Sequence, residues 1–554
     1  MPSPLSAVEA PLVIQDPDQL SWDDVSDVVV VGFGGAGAAT ALQALELGAQ
    51  VTAVDRFEGG GATAYSAGVV YAGNTSYQRQ AGIADSSEDM FNYLRREIGS
   101  AVKESTLQRF CQSSADDLDW LARHGVPFRG DAYLGKCALP PDGKYLYYSG
   151  NENRAGYREW VKPAPRGHRT VGSGWTGHVY YKALASAAIS TGVRLETHTR
   201  ALRLVVTEQG AVVGVEVSAL PNEGECRARH MKLYKRVSPT KPFNNRAAES
   251  AIVRCRKLEE VGARKRLRAK GGVVIATGGF IYNLPLLRRG APHIAEHAMG
   301  LIRMGSMGCD GSGIELGVSA GAATGFMAEP TIQRVLAPPS ALLDGIVVNA
   351  RGERFTNEEG YAGFLGRDIS RQPNGKAWLI VDRATFRRSL LQILRAGATE
   401  RLYCLSILLN MLLGGTKRAR TVEALALKCG MDANALQRTI AVYNGALKQG
   451  IADPLGKTEG FNRPIEIAPY RAINVSLGNP FAFTIAMTLG GLMVDESSGH
   501  VLRADGTRII GLYAAGRAAV GVCSETYLSG LSIADTVFSA RRAARSACGQ
   551  CSVA

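Results

Sequence analysis

No apolar run in the chain is long enough to cross a bilayer. The most apolar stretch, Leu402 to Leu413, falls short of the roughly 20 residues a spanning helix needs and is broken by Ser406 and Asn410, which predicts a buried helix. A secretory start is also missing. Met1 to Leu20 carries prolines and acidic residues in place of a basic start and an apolar core, so the expectation is a cytoplasmic protein with no transmembrane segment. No Cys-x-x-Cys-His occurs, so nothing points to attached haem, and most of the ten cysteines are scattered singly, as small buried residues tend to be. Histidine is scarce, with eight in 554 residues, and no metal is assigned.

What is present is a globular composition, 46% hydrophobic and 20% charged, in a chain long enough for two or more domains. Glycine supplies 64 of the 554 residues, an excess over the usual roughly 7% share, and it clusters at turns, as backbone held close to a ligand does. The net charge of +13 is local. Pro221 to Lys270 holds fifteen Lys or Arg against five Glu, which is +10 of the total. Lying between the alternation Ala211 to Val217 and the strand Gly272 to Ala276, this stretch reads as an extended loop or hairpin insertion. It is either a solvated loop or a patch for peripheral contact with an anionic membrane or an acidic partner. Its only aromatics are Tyr234 and Phe243, too few for the interleaved platform of a nucleic-acid binder.

The strongest motif is Val28-Val-Val-Val-Gly32-Phe-Gly34-Gly35-Ala36-Gly37, an apolar strand running into Gly-x-Gly-x-x-Gly and then an alanine-rich helix. The first glycine makes the turn, the second lets backbone approach a pyrophosphate, and the third lets the helix pack on the sheet with its positive end toward the phosphates. Asp55 ends the next strand roughly twenty residues on, where a carboxylate accepts from ribose hydroxyls. Together these predict a dinucleotide site.

Further glycine-rich signals follow in order. Arg56 leads into Gly59-Gly60-Gly61-Ala62-Thr63-Ala-Tyr65-Ser66-Ala-Gly68, then come Val-Ile-Ala276-Thr277-Gly278-Gly279 and Leu-Tyr-Ala-Ala515-Gly516-Arg517. This order resembles the FAD-binding domain of the fumarate reductase and 3-ketosteroid dehydrogenase flavoprotein family, over most of the chain. The resemblance implies FAD as cofactor. It assigns the pyrophosphate to Gly32, Gly34, Gly35, Ala36 and Gly37, and the adenosine ribose to Asp55. The segment with Arg56, Gly60, Gly61, Ala62, Thr63, Ser66 and Gly68 is assigned to the flavin side. Ala276, Thr277, Gly278, Asp310, Ala515 and Gly516 are further contacts, and Ser532 and Ile533, opening the last helix, lie by the flavin pyrimidine ring. The implied fold is α/β. After an N-terminal tail (1–20), a Rossmann-like FAD-binding domain is assembled from residues 21–335, containing the basic insertion 221–270, and 481–554. An inserted α+β substrate-binding domain spans 336–480, beginning near the family-like Gly-Glu-Arg354-Phe-Thr-Asn357-Glu358. Helical spacing of Val422, Leu425, Ala426 and Cys429, then of Leu436, Ile440 and Tyr443, supports two amphipathic helices there.

Fumarate reductases of this family hold a dicarboxylate with histidines and arginines, often with His-Thr-Met-Gly-Gly. Here the matching stretch is Ala486-Met-Thr-Leu-Gly490-Gly491, without histidine, and Arg367-Asp368 is the one echo of the cationic cluster. The other branch uses tyrosines. Tyr527-Leu-Ser529-Gly530 is similar to the Tyr-x-Ser-Gly of 3-oxo-5α-steroid 4-dehydrogenases, whereas the 1-ene-forming enzymes usually carry Tyr-Pro-Gly-x-Gly. The resemblance implies Tyr527, Ser529 and Tyr361 as catalytic residues. An apolar 3-oxosteroid has its carbonyl held by Tyr527 and a backbone N–H near Gly530 to Leu531, and its carbon 4 proton leaves through a relay of Ser529, Tyr527 and Tyr361. The electron acceptor is not assigned. Alternatives are a 3-oxosteroid 1-dehydrogenase, an enone or fumarate-type reductase, and, from another class, a flavin electron carrier or redox sensor using the Cys548-Gly-Gln-Cys551 pair.

Overall fold

Four consecutive valines, Val28 to Val31, are 0–3% exposed, because the strand Asp24–Val31 is covered on both faces, the condition that makes parallel strands read as continuous apolar runs. The computed structural model describes residues 8–237 and 245–549. Around Asp24–Val31 it builds a parallel sheet, with Val51–Asp55 and then Arg194–Thr197 on one side and the long strand Ala263–Ile275 on the other. That strand changes partners along its outer edge. Its first half pairs antiparallel with Val212–Ala219 and its last three residues pair parallel with Arg508–Ala514, which brings the C-terminal part of the chain back into the sheet. The final helix, Leu531–Ala547, packs against the helix Gly35–Glu46, and alanines on both sides set the close approach. The chain is thus mixed α/β with a parallel sheet at its centre.

Between these parts lies an antiparallel sheet in the order Ile346–Asn349, Ala377–Val381, Tyr470–Asn474 and Lys417–Ala419, with a separate core of Ile346, Val348, Ile380, Leu425, Leu436 and Ile440. The two helices expected there run over Val422–Cys429 and Ala433–Lys448, with Thr421 and Asp432 as side-chain N-caps and the left-handed Gly430 ending the first. Two small sheets join this unit to the parallel sheet. One contains Thr331–Arg334 and Thr484–Met487, the other Leu146–Tyr147 and Gly167–Arg169.

Two expectations are corrected. The basic stretch 221–270 is neither an extended loop nor a strand hairpin. It forms the helices Glu225–Tyr234 and Asn245–Glu259, followed by the start of the strand Ala263–Ile275. Its charge is also not simply solvated, since Arg264 and Arg266 pair with Glu216, Lys265 with Glu196, and Arg268 with Asp18. The second correction concerns Leu402 to Leu413. It is helical, within Ala398–Leu413, but Leu402, Leu405, Leu412 and Leu413 face outward, because only one side of the helix has a protein surface to pack on.

Candidate active site

The ends of the parallel strands and the N-terminus of Gly35–Glu46 open on one long cleft. Gly32, Gly34, Gly35, Ala36, Asp55, Arg56, Gly61, Ala62, Thr63, Ser66, Gly68, Ala276, Thr277, Gly278, Ser532 and Ile533 line it. Five other residues assigned from sequence stand behind the wall. Gly37 packs helix to strand, where a Cβ would overlap the Gly32 carbonyl oxygen. Gly60 lies against Tyr181 and Ala64, Gly516 against the Ala36 methyl, and Ala515 donates its N–H to the Ile275 carbonyl at the sheet end. Asp310 reaches the cleft through two lining residues, Arg56, which it meets at 2.6 Å, and Ser312, whose N–H it accepts at 3.0 Å. Thr199, Arg200, Tyr234, Ser306 and Arg517, none of them among the residues the resemblance assigns, also line the cleft. Arg517 directly follows the Ala-Ala-Gly turn, whereas Arg200 and Tyr234 carry no local signal.

A second cavity adjoins the first, and Ser66, Ala67, Met304, Met487, Tyr527 and Ser529 line both. Tyr361 and Tyr403 complete the tyrosine wall, with the Tyr361 and Tyr527 rings tilted at 6.4 Å between centroids. Tyr527 is carried on the turn before the last helix. Gly530, at φ +91°, caps that helix, and any Cβ on it would press on Val69 and Tyr71. Leu531 donates its N–H to the Leu528 carbonyl, and within the Gly530 to Leu531 stretch it is the Gly530 N–H that faces the Tyr527 hydroxyl. Burial pushes the Tyr527 phenol up to about 12, with that N–H opposing the shift. Tyr361 is also held well above its ordinary value by burial.

The hydroxyl connections differ from the expected relay. Ser529 shares a 3.3 Å hydrogen bond with Tyr147, and Tyr361 donates to Gln333 at 3.2 Å. Tyr147 was not anticipated, because Tyr147 and Ser529 lie 382 positions apart and nothing local marks the tyrosine. Tyr361 is fixed from behind, its N–H donating to Asn151 Oδ1 at 2.7 Å while the Asn151 amide donates to Glu97. Among the described residues no histidine lines the cavity. Arg334 borders it, yet strand alternation puts Gln333 and Val335 on the tyrosine side, and the Arg334 guanidinium donates to the Ser476 carbonyl on the other. Arg367 pairs with its neighbour Asp368 on a partly exposed helix.

The FAD binding domain family matches residues 27–532. The chain belongs to this family. It is 36% identical to a 3-oxo-5-alpha-steroid 4-dehydrogenase of Comamonas testosteroni over 93% of this chain and 96% of that one. It is 26% identical to a 3-oxosteroid 1-dehydrogenase of Mycobacterium tuberculosis, over 90% of this chain and 94% of that one. Among solved structures it is similar to the 3-ketosteroid-delta4-(5alpha)-dehydrogenase of Rhodococcus jostii RHA1 in complex with 4-androstene-3,17-dione. That match has a TM-score of 0.80 and 31% identity, and covers 98% of this chain and all of that one. The protein is an FAD-dependent oxidoreductase.

The cleft fits FAD on its own terms. Gly32 (φ +98°), Gly34 and Gly35 leave bare backbone along the helix N-terminus, a cradle for a pyrophosphate. Asp55 accepts from the N–H groups of Phe33, Phe57 and Gly59, yet burial still raises it above the usual carboxylate range, so the site has room for further donors of the kind a ribose would supply. Beside it, the two helices of the basic stretch grip Arg56 and Phe57. Tyr234 stacks on Phe57 at 4.4 Å, and Glu259 pairs with Arg56 at 2.7 Å, with Arg200 at 3.4 Å and with His230 at 2.9 Å. Burial works against the Glu259 carboxylate, but Arg56, His230 and Arg200 outweigh it and hold it at about 2. Because this folded-state value lies below the unfolded one, the stabilisation is complete above about pH 4.5 and is lost as pH falls toward 2. Glu259→Gln is expected to cost about 3 kcal/mol at neutral pH and to flatten the acid limb of stability, read by thermal unfolding of the holoprotein from pH 7 to 3.

Among the described residues no helix is long and apolar enough to cross a membrane. Of the terminal cysteine pair, Cys551 lies outside the described residues, and burial raises the half-buried Cys548 thiol, the opposite of what a redox-active thiol needs.

Proposed function

We propose that the chain dehydrogenates 3-oxo-5α-steroids between carbons 4 and 5, giving the 3-oxo-4-ene. The observation that carries this reading is the constellation of uncharged hydroxyls, Tyr527, Ser529 and Tyr361, on a largely apolar cavity that opens into the FAD cleft, with the buried Tyr147 hydrogen-bonded behind Ser529. When bound there, FAD supplies the acceptor for the hydride that leaves carbon 5. The chain supplies the rest. The Tyr527 hydroxyl, which the Gly530 N–H faces, donates to the 3-oxo group and stabilises the negative charge it gains as carbon 4 loses its proton. Ser529 takes up that proton as it hands its own hydroxyl proton to its partner Tyr147, which releases one in turn, while Tyr361, held by Asn151 and Gln333, closes the cavity over the ring. The proton from carbon 4 and the hydride from carbon 5 together account for both bonding electron pairs, one of which becomes the new double bond. The α+β unit over 336–480 acts as the substrate-binding domain, contributing Tyr361 and Tyr403.

The reading is tested by turning over 5α-androstane-3,17-dione with an artificial electron acceptor and identifying the product. The expected product is 4-androstene-3,17-dione, with Ser529→Ala slowing its formation by about 10²-fold. A 1-ene product would transfer the assignment to the 1-dehydrogenase branch. The fumarate-type reading finds little in the cavity to hold two carboxylates, since among the described lining residues the cations are Lys136 and Arg334, which already donate to the Gly150 and Ser476 carbonyls.

A further inference from the structure

The helices Arg383–Leu394 and Ala398–Leu413 follow one another across a three-residue turn and share an unusual surface. Leu391, Leu394, Leu402, Leu405, Leu412 and Leu413 are between 44% and 82% exposed. Their spacing puts Arg383, Arg387, Leu391 and Leu394 on one stripe of the first helix, and Ala398, Leu402, Leu405 and Leu412 on one stripe of the second. The opposite stripe, Thr399, Tyr403, Cys404 and Ile407, is buried. Arg383, Arg387, Arg395 and Arg401 are exposed, and among the described residues none of them is ion-paired. The one carboxylate on the two helices, Glu400, is turned back to cap the second helix at Gly397. A soluble surface rarely gathers this many leucines, and leucine with flanking arginine is the composition of helices that lie in a membrane interface.

The same element walls the substrate cavity. Tyr403, on its inner face, lines the cavity and accepts from Trp175 Nε1 at 3.2 Å. Asp142 ties the neighbouring segment 134–142 to Thr399, and that segment turns Cys137, Ala138 and Leu139 toward the cavity and Leu134 outward. We propose that this leucine face docks on an anionic lipid bilayer, so that the cavity wall lies against the membrane in which apolar molecules collect. A second copy of the chain is the poorer occupant, because a two-fold contact would set this patch against itself, arginines included, with no free carboxylate on it to meet them, whereas lipid headgroups and acyl chains match both halves of the surface. The docking stands apart from the steroid reading. Only the idea that substrate arrives from the membrane depends on it.

The test is flotation of the FAD-loaded protein with vesicles of phosphatidylcholine containing phosphatidylglycerol, beside vesicles of phosphatidylcholine alone, with the mass in solution followed by light scattering. The anionic vesicles are expected to carry the protein and the neutral ones to carry less. Leu394→Ser/Leu405→Ser/Leu412→Ser and Arg395→Gln/Arg401→Gln are each expected to lower the bound fraction about tenfold while flavin content stays unchanged. Three results would overturn the proposal: a wild type that does not float, variants that float as well as the wild type, or a dimer in solution that the triple variant converts to monomer. Unchanged flotation of the variants would return the membrane contact to the basic stretch 221–270. A protein that floats as expected but does not turn over steroid would leave the docking intact and remove the function proposed above.

Discussion

Tyr527→Phe is expected to lower the turnover of a 3-oxo-5α-steroid by about 10²–10³-fold, the usual cost of removing one donor from a site that stabilises a developing oxyanion. The substitution keeps the ring, its packing beside Tyr361 and the glycine-capped turn that carries it, so flavin content and thermal stability should stay close to wild type. The loss should fall on kcat more than on KM, since the hydroxyl interacts most strongly with charge that exists only as the carbon 4 proton leaves. A pH profile adds a second signature. Burial keeps the Tyr527 phenol protonated up to about pH 12, so wild-type activity should show no alkaline decline from this group across the range in which an exposed tyrosine ionises, near pH 10. A full-rate Tyr527→Phe enzyme would remove the tyrosine from the chemistry.

Gly37→Ala is expected to have the largest effect on the cofactor, even though Gly37 does not line the cleft. A single methyl there would overlap the Gly32 carbonyl, and that carbonyl belongs to the turn that presents backbone to the pyrophosphate. Neither partner has a soft way to move. Gly32 is itself fixed at φ +98°, with the Ala276 carbonyl 2.8 Å from where its own Cβ would be. The helix must therefore lift from the sheet, and the purified variant should contain little or no FAD by absorbance. Gly48→Ala is the control, because Gly48 also has positive φ (+84°) but nothing within 4 Å of an added Cβ. It should lose only about 1 kcal/mol of stability and keep its flavin.

The parts legible in the sequence were those whose physics is local. The valine run, the glycine turn and the terminal Asp55 announce one βαβ unit because strand, turn and acid each need particular residue types at short range. The helices Val422–Cys429 and Ala433–Lys448 were readable because polar and apolar residues alternate with helical period in both. Leu402 to Leu413 misled for the opposite reason: a run that is apolar all round has no period, so nothing in it says which side faces water. In the basic stretch the helical signal was present but faint. Ala248, Ala251, Ile252 and Cys255 form the buried stripe of Asn245–Glu259, yet they are small residues set among arginines, and Glu259 continues the same stripe as a buried charge that meets Arg56 some 200 positions away. Tyr147 was out of reach for a similar reason. Its relation to Ser529 exists only after two sheets and the last helix have packed, and a tyrosine seen without its partner looks like any other.

The most direct test of the whole account is anaerobic mixing of the FAD-loaded protein with 5α-androstane-3,17-dione while flavin absorbance is followed. The account predicts rapid bleaching of the oxidised flavin in the wild type, slowed strongly in Tyr527→Phe and Ser529→Ala. Flavin that stays oxidised in the wild type at saturating steroid would contradict it.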